Sequence, residues 1–321
     1  MEEYKMNEEL LVNSPIDASE FEHIGQDLGS LNEIVRPSTS FWKDAFGRIK
    51  RDKVAITLVC TLAVIAVLAI IVPMVSPYNM AEQHLQHTNQ GMFFSDATCF
   101  HIFGTDNFGR DIFSRVMQGL GTTLVISTSV VLFSTVAGVL LGAFTGYFGG
   151  ILDEILMRIT DAVNGFPSIL LTLVIISLLG KGRQNVIIAL GIVFIPSFVR
   201  IVRGEFLRLR DADYIKRARL MGVSRLRILF VHILPNIFSV LLVSVMIGFN
   251  NAILAESGMS YLGIGVQAPD ASLGMMLSDA QGYLQTAPWY ALFPGLAIVW
   301  VVLGFSLLGE GIRKWDGSRA E

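Results

Sequence analysis

The chain carries no charged residue from Val116 to Leu152, a stretch that reads VMQGLGTTLVISTSVVLFSTVAGVLLGAFTGYFGGIL. A helix needs about 20 apolar residues to cross the hydrocarbon core of a bilayer, because its backbone groups must all be paired internally. The stretch has room for one such span, which we place at about Leu120–Phe144. This segment alone predicts a membrane protein.

The composition of the whole chain supports the same class. Of 321 residues, 52% are hydrophobic and 16% are charged, and the mean hydropathy is +0.57. Soluble domains carry about a quarter charged residues. Five further stretches are apolar enough to be spans, so we predict an all-α integral membrane protein with six transmembrane helices. The other five are Val54–Val75, Ile155–Leu179, Asn185–Val202, Ile233–Ala255 and Tyr290–Leu308.

Basic residues are distributed unevenly between the two sides of these spans. Seventeen lie in residues 36–53, 203–227 and 313–319, whereas the intervening loops hold four. Because Lys and Arg accumulate in cytoplasmic loops, we predict that both termini are cytoplasmic. The loops 76–115 and 256–289 are then extracytoplasmic.

These boundaries divide the chain into segments. Residues 1–38 hold an excess of acidic side chains and predict a mobile cytoplasmic tail. Residues 39–53 predict an amphipathic helix at the membrane interface, with an ordinary packed helix as the alternative. After the first span (54–75) and the loop 76–115, residues 116–316 form a five-helix core with a cytoplasmic loop at 203–232, and residues 317–321 form a short cytoplasmic end.

The basic loop has a helical pattern of its own. Tyr214, Ile215, Ala218 and Met221 fall on one face of a predicted helix, surrounded by arginines and lysines. Gly222 is suited to a left-handed stop. Taken alone, the pattern fits either a solvated basic connector or a plug for a groove on another protein.

Caps can also be predicted for this loop. Asp211 or Asp213 is placed to cap the start of the helix, and Ser224 to cap a second helix that follows.

Two blocks of residues resemble a known family. Tyr214-x3-Ala218-x3-Gly222-x9-His232-Ile-Leu-Pro235 resembles the EAA loop of ABC-importer permeases, and Phe103-Gly-Thr-Asp-Asn-Phe-Gly-Arg-Asp111 resembles a block of the C-type permease in dipeptide and oligopeptide importers. Further blocks follow in the family's order, so the resemblance extends from about residue 40 to 316. The chain departs from the family at Lys216 and Arg217, where an acidic residue and alanine are usual.

The resemblance implies the type I ABC importer permease fold and a transport role in a bacterial inner (cytoplasmic) membrane. The expected partners are a second homologous permease, two cytoplasmic ATPase subunits, an extracytoplasmic peptide-binding protein and membrane lipid, with no nucleic acid. ATP and Mg²⁺ would be bound by the ATPases, so this chain is expected not to be an enzyme and to hold no cofactor. The residues expected to couple it to the ATPases are Tyr214, Ile215, Ala218, Met221, Gly222, His232 and Pro235.

Polar residues near the outer end of the fifth span are candidates for contact with the transported substrate or the outer loop. They are Asn250, Asn251 and Glu256, for which capping or packing is the alternative role. At the start of the third span, Arg158 and Asp161 are spaced to pair with each other.

Glycines repeat every four residues at Gly138, Gly142 and Gly146, which permits close helix approach. The glycine stripe fits internal packing or an interface with a second permease.

Other chemistries find little support in the sequence. The five histidines supply too few ligands for a metal site, and no nucleophilic or paired-carboxylate constellation predicts a catalytic residue. Three alternative functions remain: a nickel-chelate importer permease, a gradient-driven secondary transporter, and a membrane scaffold or receptor.

Overall fold

The computed structural model describes residues 83–95 and 100–317, together with positions 67 and 71. The predicted acidic tail, the interfacial helix and the first span at 54–75 therefore lie outside the described residues, apart from those two positions. The same holds for residues 318–321.

Helices make up most of the described part of the chain, which also holds one short hairpin and several loops. Strands β1 (Phe94–Ser95) and β2 (Phe100–His101) pair antiparallel. The helices are α1 (Ile112–Phe148), α2 (Gly150–Asn164), α3 (Ser168–Leu179), α4 (Arg183–Arg210), α5 (Asp213–Leu220), α6 (Phe238–Tyr261), α7 (Leu273–Ala280) and α8 (Pro288–Gly317). Shorter helical pieces at 225–237 lead from α5 into α6.

Four of the predicted spans coincide with helices that are long and apolar enough to cross a membrane. They lie in α1, in α4, in α6 with its lead-in (Arg225–Tyr261), and in α8. The bent pair α2 and α3 brings the number of candidate spans among the described residues from four to five.

The prediction of one continuous third span at Ile155–Leu179 is wrong. Helix α2 ends at Asn164, α3 begins at Ser168, and the chain turns by 94° between them. The break falls at Pro167, which has no N–H to donate and biases the preceding residue away from helical geometry. The charged residues Asp153, Glu154, Arg158 and Asp161 all precede the break, so α2 is much more polar than α3. The prediction of one span overlooked this difference.

The glycine stripe of α1 packs inside the chain, against α4. A Cβ added at Gly138 would overlap the Cβ of Phe198, and one at Gly142 would lie 2.8 Å from the carbonyl oxygen of Val199. At Gly146 the Cβ would meet Phe206 at 2.7 Å. Of the two interpretations left open by the sequence, the described contacts favour internal packing.

The two ends of this bundle differ in chemistry. We call the end that carries residues 203–228 the basic end. There, buried side chains of α1, α4 and α5 form one apolar cluster with the lead-in to α6. At the opposite end, the start of α1 packs against α7 and the start of α8.

A turn at the opposite end fixes the start of α1. Asp106 accepts hydrogen bonds from the backbone N–H and the Nε of Arg110, at 2.9 and 2.6 Å. Asp111 caps α1 by accepting from the N–H of Ser114 at 2.8 Å, and its other oxygen lies 2.8 Å from His101 Nδ1. The block at Phe103–Asp111 thus forms a hydrogen-bonded turn.

Candidate functional site

Helix α5 forms a short prong at the basic end and is closed by a specific turn. Gly222 has φ of +78°, as predicted from the sequence. The N–H of Gly222 donates to the carbonyl of Arg219, and the N–H of Val223 donates to the carbonyl of Ala218, both at 3.1 Å. This is the Schellman pattern of a helix end, which strongly favours glycine at the left-handed position.

The predicted side-chain caps of the prong are wrong. Ala212 occupies the capping position of α5, and no side chain there accepts a capping hydrogen bond. Asp213 lies in the first turn instead, where its charge favours the helix dipole. Ser224 stands at the capping position of the next helical piece without a side-chain capping bond.

The four apolar prong residues do not share one exposed face, contrary to the sequence expectation. Ile215 is buried in the cluster at the basic end, and Ala218 is also buried. Tyr214 is 42% exposed and Met221 is 76% exposed, and the neighbouring Leu220 reaches 88%. The inward residues therefore anchor the prong to the bundle, and its tip presents Met221 together with Leu220, which the sequence analysis did not single out.

Cations and aromatic rings hold the prong and the helical piece that follows it against α1. The guanidinium of Arg219 lies over the Tyr147 ring at 5.7 Å, and that of Arg225 over the Phe148 ring at 6.0 Å. Such contacts contribute about 0.5–1 kcal/mol each at exposed sites. Partial burial raises the pKa of the Tyr214 phenol above its usual value, so its hydroxyl stays protonated and able to donate a hydrogen bond.

The predicted coupling residues His232 and Pro235 lie in the lead-in between the prong and α6. His232 Nδ1 is 3.2 Å from the carbonyl oxygen of Arg227, and the Asn236 amide donates to the carbonyl oxygen of His232. Pro235 is exposed in the last short piece before α6. The lead-in is thus a hydrogen-bonded helical connection from prong to span.

The three polar candidates on α6 face different surroundings. Glu256 is fully buried and accepts hydrogen bonds from Thr123 at 2.9 Å and from Ser260 at 2.8 Å. Asn250 borders a small cavity between α6 and α8. Asn251 is exposed and borders a larger cavity of about 420 Å³, which lies between α4, α6 and the break after α2.

Most of the chain matches one family of transport proteins. Residues 138–319 match the family described as the inner membrane component of binding-protein-dependent transport systems, and residues 40–91 match the N-terminal transmembrane domain of oligopeptide transport permease C. The chain belongs to this permease family.

Several relatives of the permease are similar over nearly their whole length. The dipeptide transport system permease protein DppC of Alkalihalophilus pseudofirmus is 39% identical over 86% of this chain and 89% of its own. The oligopeptide transport system permease protein OppC of Bacillus subtilis is 35% identical over 91% and 94%. The glutathione transport system permease protein GsiD of Escherichia coli is 38% identical over 85% and 88%.

The fold of the permease is similar to that of a solved ABC transporter. An inward-facing structure of the MetNI methionine ABC transporter contains a chain that aligns with a TM-score of 0.54 at 19% identity. The alignment covers 63% of this permease and 97% of that chain. The described helices therefore have the architecture of an ABC importer permease.

Ion pairs join α2 to α4 in the permease. Arg203 makes two hydrogen bonds to the Asp153 carboxylate, at 2.6 and 2.8 Å. Arg200 pairs with Asp161 at 2.8 Å. The predicted partner of Asp161 was Arg158, and this prediction is wrong because Arg158 pairs with Glu154 one helical turn away, at 2.8 Å.

These cross-helix pairs were missed because their members are far apart in sequence. The sequence places Arg200 near the end of a predicted span and Arg203 in the basic loop. Two arginines three residues apart on a span are themselves a signal of paired partners. Among the described residues, no group of three or more His, Cys, Asp or Glu side chains is arranged to hold a metal ion.

Proposed function

We propose that this permease is a subunit of an ATP-driven importer of dipeptides or oligopeptides in a bacterial cytoplasmic membrane. The proposal is supported by relatives named for dipeptide, oligopeptide and glutathione transport, all at 35–39% identity. Glutathione is itself a tripeptide, so the three names share one chemical class.

The complete importer would contain this chain and a second, homologous permease that together line the translocation pathway. Two cytoplasmic ATPase subunits would bind ATP and Mg²⁺ and supply the energy, and an extracytoplasmic binding protein would deliver the peptide. The family description, which names dependence on a binding protein and an inner-membrane location, supports these partners.

Orientation follows from the basic residues. The basic end holds eight of the chain's lysines and arginines within residues 203–227, and such clusters mark the cytoplasmic side. With that end in the cytoplasm, the turn at 103–111 and α7 face the exterior, where a binding protein docks.

The prong is the part of this chain best suited to transmit the movement of an ATPase to the spans. Ile215 belongs to the buried cluster and Ala218 is also buried, so these residues fix α5 to the bundle, whereas exposed Leu220 and Met221 form an apolar tip. A tip that fills a groove on an ATPase moves with it as ATP closes the ATPase dimer. Because the anchor is buried, this movement rocks the spans between outward and inward access. The main support for a coupling role is that the tip of the prong is exposed while Ile215 and Ala218 on the same helix are buried.

The experiment is to replace Met221 with Glu in cells that carry the whole importer. A charge at the tip would have to be buried in the groove without a partner, so we expect peptide uptake to fall by at least about tenfold and the ATPases to be lost on co-purification. The control is Met221→Leu, which keeps the volume and the apolar character of the side chain. This variant should keep peptide uptake and ATPase co-purification.

The result that contradicts the proposal is equally specific. If the Met221→Glu variant took up peptide and co-purified with the ATPases as well as the parent chain does, the tip would have no role in coupling. If nickel chelates inhibited uptake and peptides did not, the transported substrate would be a nickel chelate and not a peptide.

A further inference from the structure

A cavity in the middle of the bundle has no role in the coupling scheme. Its volume is about 420 Å³, and it is bounded by α4, α6 and the break between α2 and α3. Sites for small ligands have volumes of about 300–1,000 Å³. The cavity is therefore large enough for part of a short peptide.

Five uncharged polar side chains line this cavity and come from four helices: Asn164, Ser168, Ser197, Ser244 and Asn251. Asn251 lies halfway along α6, Ser197 lies halfway along α4, and Asn164 is the last residue before the 94° break in the bent pair. The middle of a membrane span is where an exposed polar group facing lipid is most costly. Their convergence indicates a wall that faces a water-filled or substrate-filled path.

The chemistry of this wall is neutral. Its lining contains hydroxyl and amide groups together with apolar surface such as Phe166, which is 63% exposed, and it contains no charged side chain. One turn from Asn164 and Ser197, Asp161 and Arg200 neutralise each other in the ion pair between α2 and α4. Hydroxyls and amides are suited to the N–H and C=O groups that every peptide has, whatever its side chains.

We propose that this cavity is a transient binding site for the backbone of the transported peptide, an inference that rests on the proposed peptide substrate. The Asn251 amide both donates to a peptide C=O and accepts from a peptide N–H, and Ser197 supplies a second hydrogen bond. Because the wall carries no charge, it binds acidic, basic and neutral peptides alike. Any selection by side-chain charge then occurs before the peptide reaches the membrane.

The test compares two substitutions of Asn251 in cells that carry the complete importer. The probes are labelled alanine peptides of two to five residues, and versions of each with one Glu or one Lys. Asn251→Leu removes the hydrogen bonds and should lower uptake of all three classes by about the same factor, roughly five- to tenfold. Asn251→Asp adds a negative charge and should lower uptake of Glu peptides relative to Lys peptides by roughly tenfold.

The neighbouring Asn250 provides a matched control. It is the same residue type on the same helix, but it borders the other cavity, between α6 and α8. Asn250→Leu should keep uptake of every probe within about twofold of the parent chain. Should the Asn251 variants be absent from membranes on an immunoblot, Ser197→Ala replaces them, with a predicted equal loss for all three classes.

The outcomes separate this inference from the proposed function. Normal uptake of every probe by Asn251→Leu and Asn251→Asp chains present in the membrane would overturn it, and would assign the cavity to lipid or to a helix of the second permease. Failure of the unmodified importer to take up any probe would instead overturn the proposed substrate class, whatever the variants do.

Discussion

Glu256 shows how a single residue can join distant parts of a membrane bundle. Its carboxylate is fully buried, and it accepts hydrogen bonds from Thr123 on α1 and from Ser260 one turn further along α6. The Ser260 hydroxyl in turn accepts from the N–H of Val266 in the following loop, at 3.3 Å. These contacts link two spans and the loop that leads to α7.

We therefore predict that Glu256 contributes to stability. Glu256→Ala leaves two buried hydroxyls without their acceptor, and it should lower the free energy of unfolding by about 1–3 kcal/mol. The measurement is the midpoint of thermal unfolding of the detergent-solubilised protein. Thr123→Val removes one of the two bonds and should cause a smaller loss; an unchanged midpoint in both variants would show that the hydrogen bonds contribute nothing net.

Gly142 makes a second prediction at the scale of one residue. Its added Cβ would lie 2.8 Å from the Val199 carbonyl oxygen and 2.9 Å from the Val202 Cβ, so Gly142→Ala must push α1 and α4 apart. We expect a loss of about 1–3 kcal/mol. Gly204, also helical, has no atom within 4 Å of an added Cβ, so Gly204→Ala should be neutral or stabilising by up to about 1 kcal/mol. Equal effects of the two substitutions on thermal unfolding would contradict the packing of the glycine stripe.

At the scale of an element, the prong depends on its terminal turn. Gly222 has φ of +78°, a conformation that costs most residues about 1–2 kcal/mol and is tolerated best by glycine and asparagine. Gly222→Val should distort the end of α5, displace Leu220 and Met221, and reduce ATPase activity stimulated by the binding protein. Gly222→Asn should retain most of that activity. Equal activity of the Val and Asn variants would indicate that the turn does not position the tip.

The elements also show what could be predicted from the sequence. Long uncharged stretches predicted the spans in α1, α4, α6 and α8, because an apolar helix of this length matches the thickness of the hydrocarbon core. Pro167 predicts a packing kink within one span, whereas the chain turns by 94° between α2 and α3. Hydropathy measures how apolar a segment is and contains no information about its direction.

The prong illustrates a second limit. Apolar periodicity predicted that Ile215 and Ala218 share one face of α5 with Tyr214 and Met221, as a solvated connector or as a plug for a groove on another protein. The structure buries Ile215 and Ala218 within the chain and exposes Leu220 and Met221. The ion pairs Asp153–Arg203 and Asp161–Arg200 join residues 50 and 39 positions apart. They depend on how α2 packs against α4, which no pattern within one segment predicts.

At the scale of the molecule, the permease has two chemically distinct ends joined by long helices. Helix α1 alone extends about 55 Å at 1.5 Å per residue, longer than the hydrocarbon core. It contacts the prong cluster at its end and the hydrogen-bonded turn at its start. Movement imposed at the basic end can therefore be transmitted through the packed pair α1 and α4 to the opposite end.

The central claim is that the basic end of this permease docks on an ATPase in the cytoplasm, and the most direct measurement is photo-cross-linking from position 221. A benzophenone amino acid replaces Met221 in living cells that carry the importer, and the cross-linked product is identified by mass spectrometry. The account predicts a covalent adduct with an ATPase subunit. Adducts with lipid or with the extracytoplasmic binding protein, in place of the ATPase, would contradict it.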